Sequence, residues 1–207
     1  DSPARKVAVA ESDPAIVIVG SYGLMGRMLI GGGLPYSTQV LPGAEVVRLF
    51  FREGTYLFGT PTSLLCRTRA IRETTPWFRP GFFYDDADLC VRMLRTWKFG
   101  YVHQVLAYQR LGNDGVLGSY STYDYIPAFT HFLLQDYGAE FLDPPELARL
   151  RQRGERDYFN LLGRARVTGR PDAYWKFHEN AFRARGTTLD RSRLIGPMLR
   201  ESSTYMP

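Results

Sequence analysis

The hydrophobic pattern changes character along this chain, from short β-branched runs in the first half to helical spacings in the second. Ala15 to Val19 (AIVIV), bounded by Pro14 and Gly20, is a continuous apolar run of the kind that forms a strand buried on both faces, so a sheet is implied. Ala4 to Glu11 reads as the last turns of a helix, and with Asp1 rather than Met in first place the expectation is that something precedes it. The apolar spacing of GAEVVRLFFREG, from Gly43 to Gly54, predicts a helix. Tyr56 to Leu65 is apolar at both ends and predicts a strand with a small polar centre. Thr68 to Glu73 suits one helical turn, and Thr75 to Gly81 (TPWFRPG) a turn-rich loop whose Trp77 and Phe78 anchor it to the core.

A helix follows from Ala87 to Trp97, with Leu89, Cys90, Met93, Leu94 and Trp97 on one inward face. Phe99 to His103 and Val105 to Gln109 read as a pair of short strands. Beyond them Tyr125 to Tyr137, Pro145 to Val167, Asp172 to Arg185 and Leu189 to Arg200 read as helices, broken at Gly138, Pro144, Gly169 to Pro171 and Gly186. Leu147, Leu150, Tyr158, Leu161 and Leu162 suit a packing face. No internal repeat, coiled-coil heptad or low-complexity segment is present.

Two stretches carry candidate chemistry. Gly20, Gly23 and Gly26 in GSYGLMG have the spacing of a dinucleotide-binding turn at a helix N-terminus. Gly31 to Gly33 and Pro35 would end that helix after about two turns, and the acidic residue about 20 positions on has only Glu45 and Glu53 as candidates, flanking the helical segment. A glycine-rich surface excursion is the preferred reading, with an NAD(P)-binding protein kept as a lesser alternative. The second stretch is Asp85, Asp86 and Asp88 at a helix start, where the positive end favours ionised carboxylates and adjacency pushes one proton affinity upward. Residue types leave a capping role and a catalytic role equally open. The small residues Thr60, Thr62 and Ser63 suit close approach of another molecule, and a β-bulge accounts for them equally well.

Composition narrows the class. At 207 residues, with 44% hydrophobic and 23% charged positions, the chain is long enough for a core of its own and globular rather than disordered. No apolar run reaches the roughly 20 residues of a membrane helix, and no secretory signal is visible. Cys66 and Cys90 fit neither metal spacing nor a paired framework, and His103, His131 and His178 are scattered, so the expectations are free thiols, no His-based metal site and a cytoplasmic location. Between Glu146 and Glu201 stand 13 Arg and Lys against 7 Asp and Glu, so the basic excess sits in the C-terminal segment. It suits phosphates, an anionic membrane surface or an acidic partner, but without aromatic interleaving or a nucleic-acid motif a solvated helix face is preferred and no nucleic-acid partner is expected.

Taken in order, five features resemble the second half of the family 2 glycosyltransferases, nucleotide-sugar enzymes of the GT-A fold. They are the Ala15 to Val19 strand, the Gly59 to Arg67 strand (GTPTSLLCR), Pro76-Trp77-Phe78, the Asp85-Asp86-Ala87-Asp88-Leu89 block with Arg92, and the Phe99 to Arg110 strand pair. The resemblance spans about half the chain and implies an α/β class: a partial GT-A, Rossmann-like mixed sheet with flanking helices over residues 1–122, then a mostly α-helical extension over 123–207 like that of many bacterial members. It implies that Asp86 is the general base, that Asp85 helps position the site and counts with Asp88 among the substrate-binding residues, that Thr60, Thr62 and Ser63 line the sugar or acceptor pocket, and that Arg110 and Asn113 lie on a loop closing over the diphosphate. The implied partners are a nucleotide-sugar donor and a hydroxyl acceptor, reacting with inversion.

The departures bear on the same reading. The family's nucleotide-binding strands and Asp-x-Asp metal motif precede the region where this chain begins, so the Mg²⁺ or Mn²⁺ expected for a complete enzyme has its main ligands elsewhere. Leu111 and Gly112 stand where many relatives carry a His. The chain therefore reads as an acceptor-side half without its donor-binding half, inactive by itself. The alternative from another class is a non-catalytic binding or assembly module that docks through its basic helical tail.

Overall fold

In a computed structural model, which describes residues 2–58, 61–79, 84–110 and 122–198, the apolar run at Ile16 opens a ten-residue strand, β1 (Ile16–Met25), at the centre of a mixed sheet. The described residues fall into two units, an α/β unit up to residue 110 and a helical unit from 122.

In the α/β unit, β1 pairs in parallel with β5 (Lys98–Gln109) along its whole length, from Ile16 opposite Lys98 to Met25 opposite Gln109. Its other edge carries β4 (Leu65–Cys66) opposite Ile18 and Val19, and the hairpin strand β2 (Met28–Ile30) opposite Gly23 to Met25, both antiparallel. β3 (Val40–Pro42) pairs antiparallel with the start of β5, completing the order β2-β1-β5-β3. Ile16, Val17, Ile18 and Val19 are at most 1% exposed, as a strand covered on both faces requires.

Helices cover the sheet. Val9 and Ala10 of α1 (Ser2–Glu11) pack with Ile16, Val19, Leu65, Val102 and Leu106. The Arg67 guanidinium fastens the end of that helix, donating to the Ala10 carbonyl at 2.5 Å and the Ile16 carbonyl at 3.1 Å. α2 (Gly43–Glu53) buries Val46, Val47, Phe50 and Phe51, each contributing about 1.5–3 kcal/mol on full burial. α3 (Thr68–Glu73) and α4 (Asp85–Met93) lead back into β5.

The helical unit comprises α5 (Tyr125–Phe141), α6 (Pro144–Val167), α7 (Asp172–Arg183) and a 3-10 turn (Arg191–Leu194). Asp143 caps α6 by accepting the Glu146 N–H at 2.9 Å, with Pro144 where a first-turn N–H has no partner to lose. Tyr158 lies at the centre of this core against His131, Phe132, His178 and Phe182. Among the described residues no helix is long and apolar enough to cross a membrane.

Several expectations are corrected. GSYGLMG is neither a phosphate turn nor a surface excursion: β1 runs through Gly20 and Gly23, and the chain reverses at Gly26, whose φ of 61° suits glycine. At Gly20 a Cβ would lie 2.9 Å from the Leu57 carbonyl oxygen and from the Phe99 ring, so the glycine serves close packing. Among the described residues of the Tyr56 to Leu65 stretch the expected strand is absent: Pro61–Ser63 forms a 3-10 turn, and strand pairing is seen only at Leu65 and, just beyond, Cys66. The proposed strand pair is one strand, because β5 inserts His103 and Gln104 as a bulge between the partners of Ser21 and Tyr22. Trp77 and Phe78 are about half exposed (49% and 58%) rather than anchored. Gly138 does not end α5; its missing side chain leaves room for Leu147 of α6.

Candidate active site

Three carboxylates begin α4, and none of them caps it. Tyr84 holds the cap position without a side-chain hydrogen bond, so Asp85, Asp86 and Asp88 all lie inside the first turn, facing the unpaired N–H groups and positive end of the helix. The fold gives each a different environment.

Asp88 is completely buried and bound on two sides. Arg92, one turn on, donates through Nε to Oδ2 at 2.9 Å; Arg79 donates to the same oxygen at 3.1 Å and, through Nη2, to Oδ1. Arg92 also donates to the Trp77 carbonyl at 2.9 Å. Two cations around one dry carboxylate thus hold the 74–79 segment onto α4.

Asp85 has one buried oxygen, Oδ1, without a hydrogen-bond partner. Burial pushes its carboxyl upward, as do Asp88 and Asp86, against a partial offset from the Arg79 N–H. Asp86 is partly buried, and burial lifts its carboxyl too, opposed by the Ala87 N–H that donates to Oδ1 at 2.8 Å. Among the described residues Asp86 has no ion pair. A carboxylate of raised basicity with no cation attached is suited to take a proton from a hydroxyl.

Thr62 and Ser63 stand at a different place. With Leu24 and Ile30 of the hairpin and Tyr108 and Gln109 at the end of β5, they line a shallow cleft of about 80 Å³ that does not include the aspartates. Arg110, exposed, follows directly on Gln109. Thr60 and Asn113 lie outside the described residues.

Against family models, curated proteins and solved structures, the chain matches none.

The residues present do not fit a divalent cation. With Asp88 committed to two arginines, only Asp85 and Asp86 remain at the helix start, and among the described residues no group of three or more His, Cys, Asp or Glu converges on one point. Cys66 and Cys90 are free thiols, both held protonated by burial.

Sequence reasoning missed four residues. Arg79 sits in a loop with no periodicity to mark it. Lys6 is 5% exposed and reaches across to donate to the Ser63 carbonyl at 2.5 Å, although lysine in an amphipathic helix ordinarily reads as surface. Tyr108 and Gln109 read as strand end; the one available signal was their place at the C-terminal end of a strand in an α/β sheet.

Proposed function

We propose that this chain is the acceptor-side half of an inverting glycosyltransferase, with Asp86 as general base. The observation that carries the reading is the division of labour in the first turn of α4: Asp88 is neutralised by Arg79 and Arg92, whereas Asp86, two positions before it, forms no ion pair among the described residues and has its basicity raised by burial. In the reaction, the acceptor hydroxyl gives its proton to Asp86 as its oxygen bonds to the anomeric carbon. The anomeric carbon–oxygen bond breaks on the opposite face, the nucleoside diphosphate leaves with the electron pair, and the configuration inverts. Asp85 shapes the site beside the base, and Arg110 directly precedes in sequence the segment assigned to the diphosphate.

Donor binding falls to a second half, on the same chain or a separate one, and any divalent cation belongs there. The reading as an assembly module docking through a basic tail has less support, because Arg149, Arg153, Arg156, Arg170, Arg185, Arg191 and Arg193 are each engaged by a carboxylate.

The test is release of nucleoside diphosphate from a panel of nucleotide sugars by the full gene product supplied with hydroxylated acceptors. Release is expected with at least one donor. Failure across the panel would favour the module.

A further inference from the structure

We propose that the pocket between the end of α6, the first turn of α7 and the 3-10 turn binds a small organic anion: one carboxylate or phosphate group on a body about the size of a single ring. Arg166, Trp175, Arg191, Leu194 and Met198 line it, and it holds about 150 Å³. A cavity of that size has room for one benzene ring. Trp175 and Leu194, 6% and 3% exposed, give it an apolar floor, and the two guanidinium groups give it a charged wall. A wholly apolar ligand would strip water from the guanidinium groups without replacing it, and a bare inorganic anion would leave the apolar floor uncovered. An organic anion satisfies both, because each guanidinium can donate charge-assisted hydrogen bonds to a planar carboxylate or to a phosphate.

The two cations differ in their commitments. Arg166, in the last turn of α6, forms no ion pair among the described residues. Arg191 lies over the Trp175 ring, 5.7 Å from its centroid, and donates to Glu179 through Nη2 at 2.6 Å. Its Nε and Nη1 have no acceptor among the described residues. The other carboxylates around the 3-10 turn have partners of their own: Glu155 pairs with Arg193 at 2.7 Å, and Asp190 accepts from the Ser192 N–H and hydroxyl. Against the two positive charges stand Glu179 and the roughly half negative charge of the α6 end, so the balance favours an anion. The walls are also set in advance. Trp175 donates through Nε1 to the Arg170 carbonyl at 3.3 Å. At Gly163 a Cβ would lie 3.3 Å from the Met198 nitrogen, so the segment carrying Met198 lies directly against α6. None of this rests on the glycosyltransferase reading.

NMR titration of the isotope-labelled 207-residue chain tests the proposal, read at the Trp175 indole N–H. Benzoate and phenyl phosphate serve as ring-bearing anions, benzyl alcohol as the neutral ring, and acetate and inorganic phosphate as anions without a ring. A saturable shift is expected with benzoate or phenyl phosphate, and which of the two binds more tightly tells carboxylate from phosphate. Arg166→Gln should weaken that binding about tenfold, the loss of one charge-assisted contact. Arg166 is exposed and unpaired among the described residues, so the amide spectrum should otherwise remain that of the parent. Arg149→Gln removes the same charge from the other end of α6 and should leave binding unchanged. No saturable shift with either ring-bearing anion, an equal response to benzyl alcohol or to the ringless anions, or the same weakening by Arg149→Gln overturns the proposal.

Discussion

Asp88 and Arg92 face each other one turn apart on α4, 2.9 Å from carboxylate to guanidinium, with the carboxylate fully buried and Arg79 closing on its other side. The pairing converts a run of three acidic residues into one structural anchor and two groups left at the helix start. It also decides how substitutions along α4 should behave.

Asp88→Asn leaves two guanidinium groups facing a neutral amide in a dry site. A loss of about 3 kcal/mol is expected, read as a fall in the urea midpoint of the α/β unit. Arg92→Leu, which strands the carboxylate instead, should cost a similar amount. Unchanged midpoints in both would mean that the pair is not buried as described.

Asp86→Asn should do the opposite. Because burial raises the Asp86 carboxyl, the folded chain binds more protons than the unfolded chain between the ordinary value of about 4 and the raised one, so stability falls as pH rises through that window and the deficit is complete above it. The amide removes the deficit. A gain on the order of 1 kcal/mol is expected at pH 7 and none at pH 3, and calorimetry at the two pH values checks it.

In the helical unit, burial lowers both His131 and His178 to about 4. His131 stacks on Tyr158 at 4.8 Å, with Glu155 and Arg193 acting on it in opposite senses. His178 accepts from the Tyr158 hydroxyl at 2.6 Å and packs on Tyr174. The unfolded chain takes up protons first, near the ordinary histidine value, so stability is full above about 6.5 and is lost as pH falls toward 4, roughly 2 kcal/mol per histidine by pH 5. Urea titrations at pH 7 and pH 5 should show it, with His131→Phe cutting the loss by about half.

Gly20→Ala should cost about 1–3 kcal/mol by overpacking, since the new methyl meets the Leu57 carbonyl and the Phe99 ring. A thermal melt checks it. A neutral result would return Gly20 to the class of turn glycines.

What could be read from the chain divides along the same residues. Ile16 to Val19 announced a buried strand because every position is apolar, whereas its continuation through Gly20 and Gly23 was hidden, since glycine carries no side chain to show alternation. The bulge at His103 and Gln104 was hidden too, because register belongs to the partner strand. The place of the acidic block at a helix start was legible. Its division of labour was not: Arg79 arrives through an irregular loop, and Lys6 reaches Ser63 from 57 positions away.

The most direct measurement is the rate of nucleoside diphosphate release by the full gene product carrying Asp86→Asn. A fall of about 10² or more is predicted, together with an unchanged or higher melting temperature, which separates loss of the base from loss of the fold. Release at near the parent rate would contradict the assignment of Asp86 and with it the reading of this site.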